Sequence, residues 1–124
     1  MVRFGFHNTQ TSTAPTNGIY FEISGTTASG VCSDNSSKTS TGTTYTITQD
    51  TWYRGQLIVG QDKSTVSFTI YNDSGTSLWT SSVTTNLPGS TRTMHSGVIA
   101  TNSGTSINIL DLDYMAMSLG ILTR

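Results

Sequence analysis

The feature that most constrains this chain is strict alternation of apolar side chains in short runs broken by turn residues. Thr65–Asn72 is the clearest run. Val66, Phe68 and Ile70 point one way, and Ser67, Thr69 and Tyr71 the other. A two-residue period places apolar groups on one face of a strand, whereas a helix would need them three and four apart. The same period recurs in Val2–His7 (Val2, Phe4 and Phe6 against Arg3, Gly5 and His7), in 19–23 (Ile19, Phe21 and Ile23 against Tyr20 and Glu22) and in 43–48. It recurs again in 52–60, where Tyr53, Leu57 and Val59 oppose Trp52, Arg54, Gln56 and Ile58. Shorter candidates lie at 31–33, 77–85 and 97–100, and a long final strand spans Ser106 to about Leu119. Turn chemistry separates them: Asn17-Gly18, Gly25, Gln61-Asp62-Lys63, Asp73-Ser74-Gly75 and Pro88-Gly89. Residues 34–42 read as a loop. No segment carries a helical period.

About eight strands at this spacing predict one all-β domain over residues 1–124, an antiparallel two-sheet sandwich of jelly-roll type. Its expected core is Phe4, Phe6, Phe21, Ile23, Leu57, Val66, Phe68 and Ile70. Composition agrees. Ser and Thr make up 42 of 124 residues, Gly adds 12, and strong helix formers are scarce.

Charge narrows the function classes. Charged residues are 10% of the chain and the formal net charge is −1, so no basic footprint for nucleic acid or an anionic membrane exists. No apolar run reaches 18 residues, and the first ten residues hold no long apolar stretch of signal-peptide type. Two His and one Cys exclude a zinc finger and an intrachain disulfide. Cys32 reads as a buried, inert thiol.

The order of motifs resembles the later strands of concanavalin A-like (laminin G-like) jelly-roll domains, in the versions found in bacteriophage tail fibres, tailspikes and other virion proteins. The residues that carry it are Arg3-Phe4-Gly5-Phe6, Asn17-Gly18-Ile19-Tyr20-Phe21-Glu22, Thr51-Trp52-Tyr53, Val66–Ile70 and Leu110-Asp111-Leu112-Asp113-Tyr114. The resemblance implies a non-catalytic virion domain that binds host cell-surface polysaccharide, in a homo-oligomer that is commonly a trimer. The alternative it leaves open is a structural cap or trimerisation module with no sugar binding. Such domains begin with strands upstream of the Arg3-Phe4-Gly5-Phe6 one, so a longer fibre or spike parent is expected; the alternative is a compact, self-sufficient sandwich that never had those strands.

Five residues form the candidate ligand set. Arg3, His7, Tyr20 and Glu22 share the polar faces of the first two strands and would form one patch with an aromatic plate, suited to stacking on a pyranose and hydrogen-bonding its hydroxyls. The competing reading is a solvated face with a cross-strand Arg3–Glu22 pair. Trp79 is the fifth candidate, competing with Leu78 for the inward position. Trp52 is expected under the core edge. A solvent-facing Trp would instead argue for a carbohydrate platform.

Catalysis has one candidate pair. Asp111 and Asp113 lie on one strand face and could in principle serve glycoside hydrolysis, which would make the chain a depolymerase fragment. The related hydrolases need a catalytic Glu, and Glu22 is the single glutamate. His95, beside Met94 and Arg92, is expected in a polar loop, and one His on each of two distant segments falls short of the three or four ligands a metal site needs. No Gly-x-Ser-x-Gly nucleophile turn occurs. No cofactor is expected, with calcium at the Asp34-Asn35 or Asn72-Asp73 loops as the alternative. Asn35-Ser36-Ser37 and Asn72-Asp73-Ser74 match the glycosylation sequon at a frequency chance supplies.

Overall fold

The computed structural model describes residues 1–11 and 13–101. The expected final strand, the Leu110–Tyr114 motif and the Asp111/Asp113 pair lie outside the described residues. Within them the chain is all-β, with two antiparallel sheets and no helix. The strands are β1 (Val2–His7), β2 (Gly18–Ser24), β3 (Thr27–Asp34), β4 (Ser37–Ser40), β5 (Tyr45–Thr46), β6 (Tyr53–Val59), β7 (Val66–Asn72), β8 (Ser77–Val83) and β9 (His95–Ala100). One sheet runs β4-β3-β2-β1-β9, with β5 also pairing β3; the other is β6-β7-β8.

The alternation set by the sequence becomes the packing. Phe4, Phe21 and Ile23 face Leu57, Val66, Phe68 and Ile70 across the sheets, with Ile19, Ala28, Cys32 and Val83 completing the buried cluster. Phe4 stacks on Phe21 at 4.9 Å, and Phe21 meets Phe68 edge-on at 5.3 Å, the offset and perpendicular geometries that ring quadrupoles favour. Two glycines let the layers close. A Cβ at Gly30 would sit 2.2 Å from the Phe68 ring, and one at Gly55 would sit 2.8 Å from Phe4.

Four expectations change. Residues 34–42 contain β4, because the turn at Asn35 and Ser36, both at positive φ, folds Lys38 back against Ser33 in antiparallel register. The short 31–33 candidate extends to all eight residues of β3, since pairing with β2 along its full length satisfies backbone that the side-chain pattern did not mark. Phe6 is only half-buried and lies outside the core cluster. The fourth change is the largest. The large sheet is buried on both faces in its middle: Tyr20 and Val31 are fully buried on the face opposite the sandwich core.

Candidate functional site

That second burial removes the expected solvent-facing patch. The register sets Arg3 opposite Glu22 and Gly5 opposite Tyr20, so the structure does bring the four residues to one face. Yet Arg3 is 5% exposed, His7 1% and Tyr20 0%. They are not available as an open sugar-binding surface. What forms instead is the cross-strand pair. Arg3 Nε donates to Glu22 Oε2 at 2.8 Å, and Lys38 Nζ donates to Glu22 Oε1 at 2.7 Å. Burial pushes the Glu22 carboxyl up, but hydrogen bonds and charge from Lys38 and Arg3 outweigh it and hold the group below the usual glutamate range.

Tyr20 leans over Gly18, where a Cβ would approach its Cδ1 to 2.9 Å, and meets the His7 ring edge-on at 6.3 Å. Burial pushes its phenol up to about 12, with the Glu22 charge adding to the rise and the Arg3 charge opposing it. No hydrogen bond joins Ser33 to that phenol: Ser33 Oγ donates to Pro15 O at 3.2 Å, and the Tyr20 hydroxyl has no partner among the described residues. Cys32 is buried as expected, and desolvation pushes its thiol up to about 12, which leaves it a poor nucleophile.

The two tryptophans exchange their expected places. Trp79 packs against the core, while Leu78 is 40% exposed. The Trp79 Nε1–H donates to Thr43 Oγ1 at 3.2 Å, which satisfies the polar atom of a half-buried indole. Trp52 is 54% exposed, not tucked under the sandwich edge. The reason is the strand period. Tyr53 turns inward, packs edge-on against Tyr45 at 5.9 Å and accepts a hydrogen bond from Thr48 N at 3.1 Å. Its neighbour Trp52 therefore turns outward.

Pairing of Tyr53 with Asn72 brings the start of β6 beside the β7–β8 turn. Between them lies an open cleft of about 490 Å³ lined by Asp50, Thr51, Trp52, Asn72, Asp73 and Ser74. Its floor is fixed by the Asn72 side chain, whose Oδ1 accepts from Ser74 Oγ and Thr76 N, both at 2.8 Å. Gly75, at φ 83°, closes the turn. The Asp50 and Asp73 side chains are exposed. The cleft thus sets an exposed apolar ring beside two carboxylates and a fixed amide, an apolar plate with hydrogen-bonding groups around it. Beside it, the Arg54 guanidinium lies 4.4 Å over the Tyr71 ring, and Tyr71 OH donates to Gln56 Oε1 at 2.8 Å. Sequence reading had the signal for this site in the alternation itself, which places Trp52 with Arg54 and Gln56.

The loops considered for calcium are engaged within the protein. Asp34 Oδ1 accepts from Arg92 Nε at 2.8 Å, and the Asn72 amide oxygen holds its own turn. Among the described residues no group of three or more His, Cys, Asp or Glu side chains converges as a metal site, and no helix is long and apolar enough to cross a membrane.

Comparison with known families matches residues 1–113 to the family described as SO2946-like, C-terminal domain. The match covers most of the 124 residues, and the chain belongs to that family. Neither curated proteins nor solved structures yield a match.

Proposed function

We propose that this sandwich is a non-catalytic binding domain of a bacteriophage virion protein, carried on a tail fibre or spike, and that it recognises host cell-surface glycan through the Trp52 cleft. The observation that carries the reading is the exposure of Trp52 between Asp50 and the Asn72–Ser74 turn. A large indole left in water offsets nothing in folding, and a rigid polar frame around it supplies the directional contacts a hydroxylated ligand needs. The dense Ser and Thr content suits the same role, since hydroxyl-bearing sheet faces bind polyhydroxy ligands without strong electrostatic steering. The phage setting and a trimeric assembly within a longer fibre rest on the motif resemblance.

Glu22 supports the non-catalytic reading. A glycosidic general acid needs a carboxyl whose pKa is raised, and Glu22 is held down by two cations. A glycan array probed with the chain tests the proposal. Binding to bacterial polysaccharide that Trp52→Ala abolishes, with the β-rich circular dichroism spectrum unchanged, supports it. Release of reducing sugar from the bound polysaccharide overturns the non-catalytic part.

The second reading is a structural cap or trimerisation module. It draws on Ile58, 53% exposed, and Val59, 47% exposed, at the end of β6. Light scattering that shows a trimer, together with an empty glycan array, would favour it.

A further inference from the structure

We propose that the glycan taken at the Trp52 cleft is an acidic one, with the carboxylate of a uronic-acid unit bound by Arg54. The inference rests on the cleft being the glycan site and adds the chemical class of what it binds. The strand period carries it. Trp52, Arg54 and Gln56 alternate with Tyr53, Gly55 and Leu57, so the indole, the guanidinium and the amide follow one another along the outer face of the small sheet. Alternate residues of a strand stand about 7 Å apart, a step of the order of one sugar unit. A chain stacked on Trp52 and running along β6 therefore reaches Arg54 with its next unit.

Arg54 is arranged to receive an anion. Its side chain is exposed, and among the described residues no carboxylate pairs with it, whereas Arg3 and Lys38 share Glu22 and Arg92 holds Asp34. The guanidinium rests instead 4.4 Å over the ring of Tyr71, the residue directly opposite on β7. That ring is tied down in turn, since Tyr71 OH donates to Gln56 Oε1 at 2.8 Å. A guanidinium over an aromatic face keeps N–H groups at its rim, in the planar fork that matches a carboxylate. Because the side chain is already held, less of its freedom is lost on binding.

The carboxylates at the other end of the row set the order of the units. Asp50 and Asp73 line the cleft around Trp52, where they repel an anion and accept hydrogen bonds from hydroxyls. A neutral, hydroxyl-rich unit therefore sits on the indole and the acidic unit on Arg54. With a formal net charge of −1 the chain offers no broad positive field, so the selection is local to this guanidinium rather than a long-range attraction.

A glycan array carrying neutral and acidic bacterial polysaccharides, each acidic one beside its carboxyl-reduced form, tests this on the full chain. The spots lost in Trp52→Ala should be uronic-acid polysaccharides. Carboxyl reduction should weaken them by about tenfold, and Arg54→Gln should do the same with the circular dichroism spectrum unchanged. Arg54→Lys, which keeps the charge and loses the fork, should fall between. Lys63→Gln makes the same charge change on an exposed side chain beyond the far end of β6 and should bind like the parent. Trp52-dependent binding to neutral polysaccharides alone, or acidic binding that survives either carboxyl reduction or Arg54→Gln, overturns the proposal and leaves the Trp52 site standing. Equal weakening by Lys63→Gln and Arg54→Gln overturns it too, since the attraction is then diffuse. An array with no Trp52-dependent spot overturns the site itself.

Discussion

Gly30 of β3 lies directly under the ring of Phe68 of β7, so close that a Cβ on the glycine would sit 2.2 Å from Phe68 Cγ. The two sheets meet through this absence of a side chain. Phe68 is fully buried and edge-packed on Phe21, so its ring has nowhere to retreat. Gly30→Ala should therefore destabilise the domain by about 3 kcal/mol, the upper part of the overpacking range, measured by urea unfolding. Gly42→Ala, with open space around its Cβ position, should stay within about 0.5 kcal/mol of the parent.

Glu22 predicts the acid limb of stability. Its folded pKa is lowered, so the stabilisation from Arg3 and Lys38 is complete above the ordinary carboxyl pKa of about 4.3 and is lost as pH falls through the depressed folded value. Glu22→Gln removes the carboxylate that Arg3 and Lys38 share and should destabilise the domain at pH 7, by about 1–3 kcal/mol. At the acid end the parent and the variant should converge, because the parent carboxyl is then neutral too. Lys38→Ala, at the exposed end of the network, should cost no more than about 1 kcal/mol.

Tyr20 and Cys32 predict the alkaline limb, with the opposite sign. Their folded pKa values, both about 12, lie above the ordinary 10.0 and 9.0. The native state thus keeps protons that the unfolded chain releases. Stability is full below pH 9 and falls as pH rises through 9–12, first from Cys32 and then from Tyr20. Tyr20 alone should account for about 3 kcal/mol of that loss. Tyr20→Phe removes both the titration and the unpaired hydroxyl. It should raise stability by about 1 kcal/mol at pH 7 and flatten the alkaline limb, measured by urea midpoints from pH 7 to 11.

How far the chain could be read in advance depended on which layer a residue belongs to. Alternation fixed β1, β7 and the inner faces of both sheets, because burial against one partner sheet is a local, period-two signal in residues such as Val66, Phe68 and Ile70. It also fixed that Arg3, His7, Tyr20 and Glu22 share a face. It could not tell that this face is buried. Polar and apolar residues alternate alike on a solvated sheet and on a sheet buried on both sides, when the second face carries ion pairs and rings such as Arg3–Glu22 and Tyr20. The His7–His95 pair was invisible for another reason: it depends on β9 pairing with β1 across 88 residues, a separation that no local pattern encodes. Trp52 was legible but misassigned, since a general habit of sandwich tryptophans was set above the strand's own period.

The two tryptophans give the sharpest separation of binding from folding. Trp79 packs against the core and bonds Thr43, whereas Trp52 stands 54% exposed at the cleft. Removing each should strike a different quantity. Trp79→Ala leaves a void beside Ile70, its cross-strand partner, and should cost about 3–4 kcal/mol in urea unfolding. Trp52→Ala removes a ring that buries little and should change stability by no more than about 1 kcal/mol. Binding should reverse the order. Polysaccharide affinity measured by calorimetry on the folded fraction should be lost in Trp52→Ala and kept in Trp79→Ala at temperatures where that variant stays folded. Equal affinity in the parent and Trp52→Ala would overturn the proposed glycan binding at this cleft. A large stability loss in Trp52→Ala would instead show that the indole is covered in solution, by a second copy or by another chain.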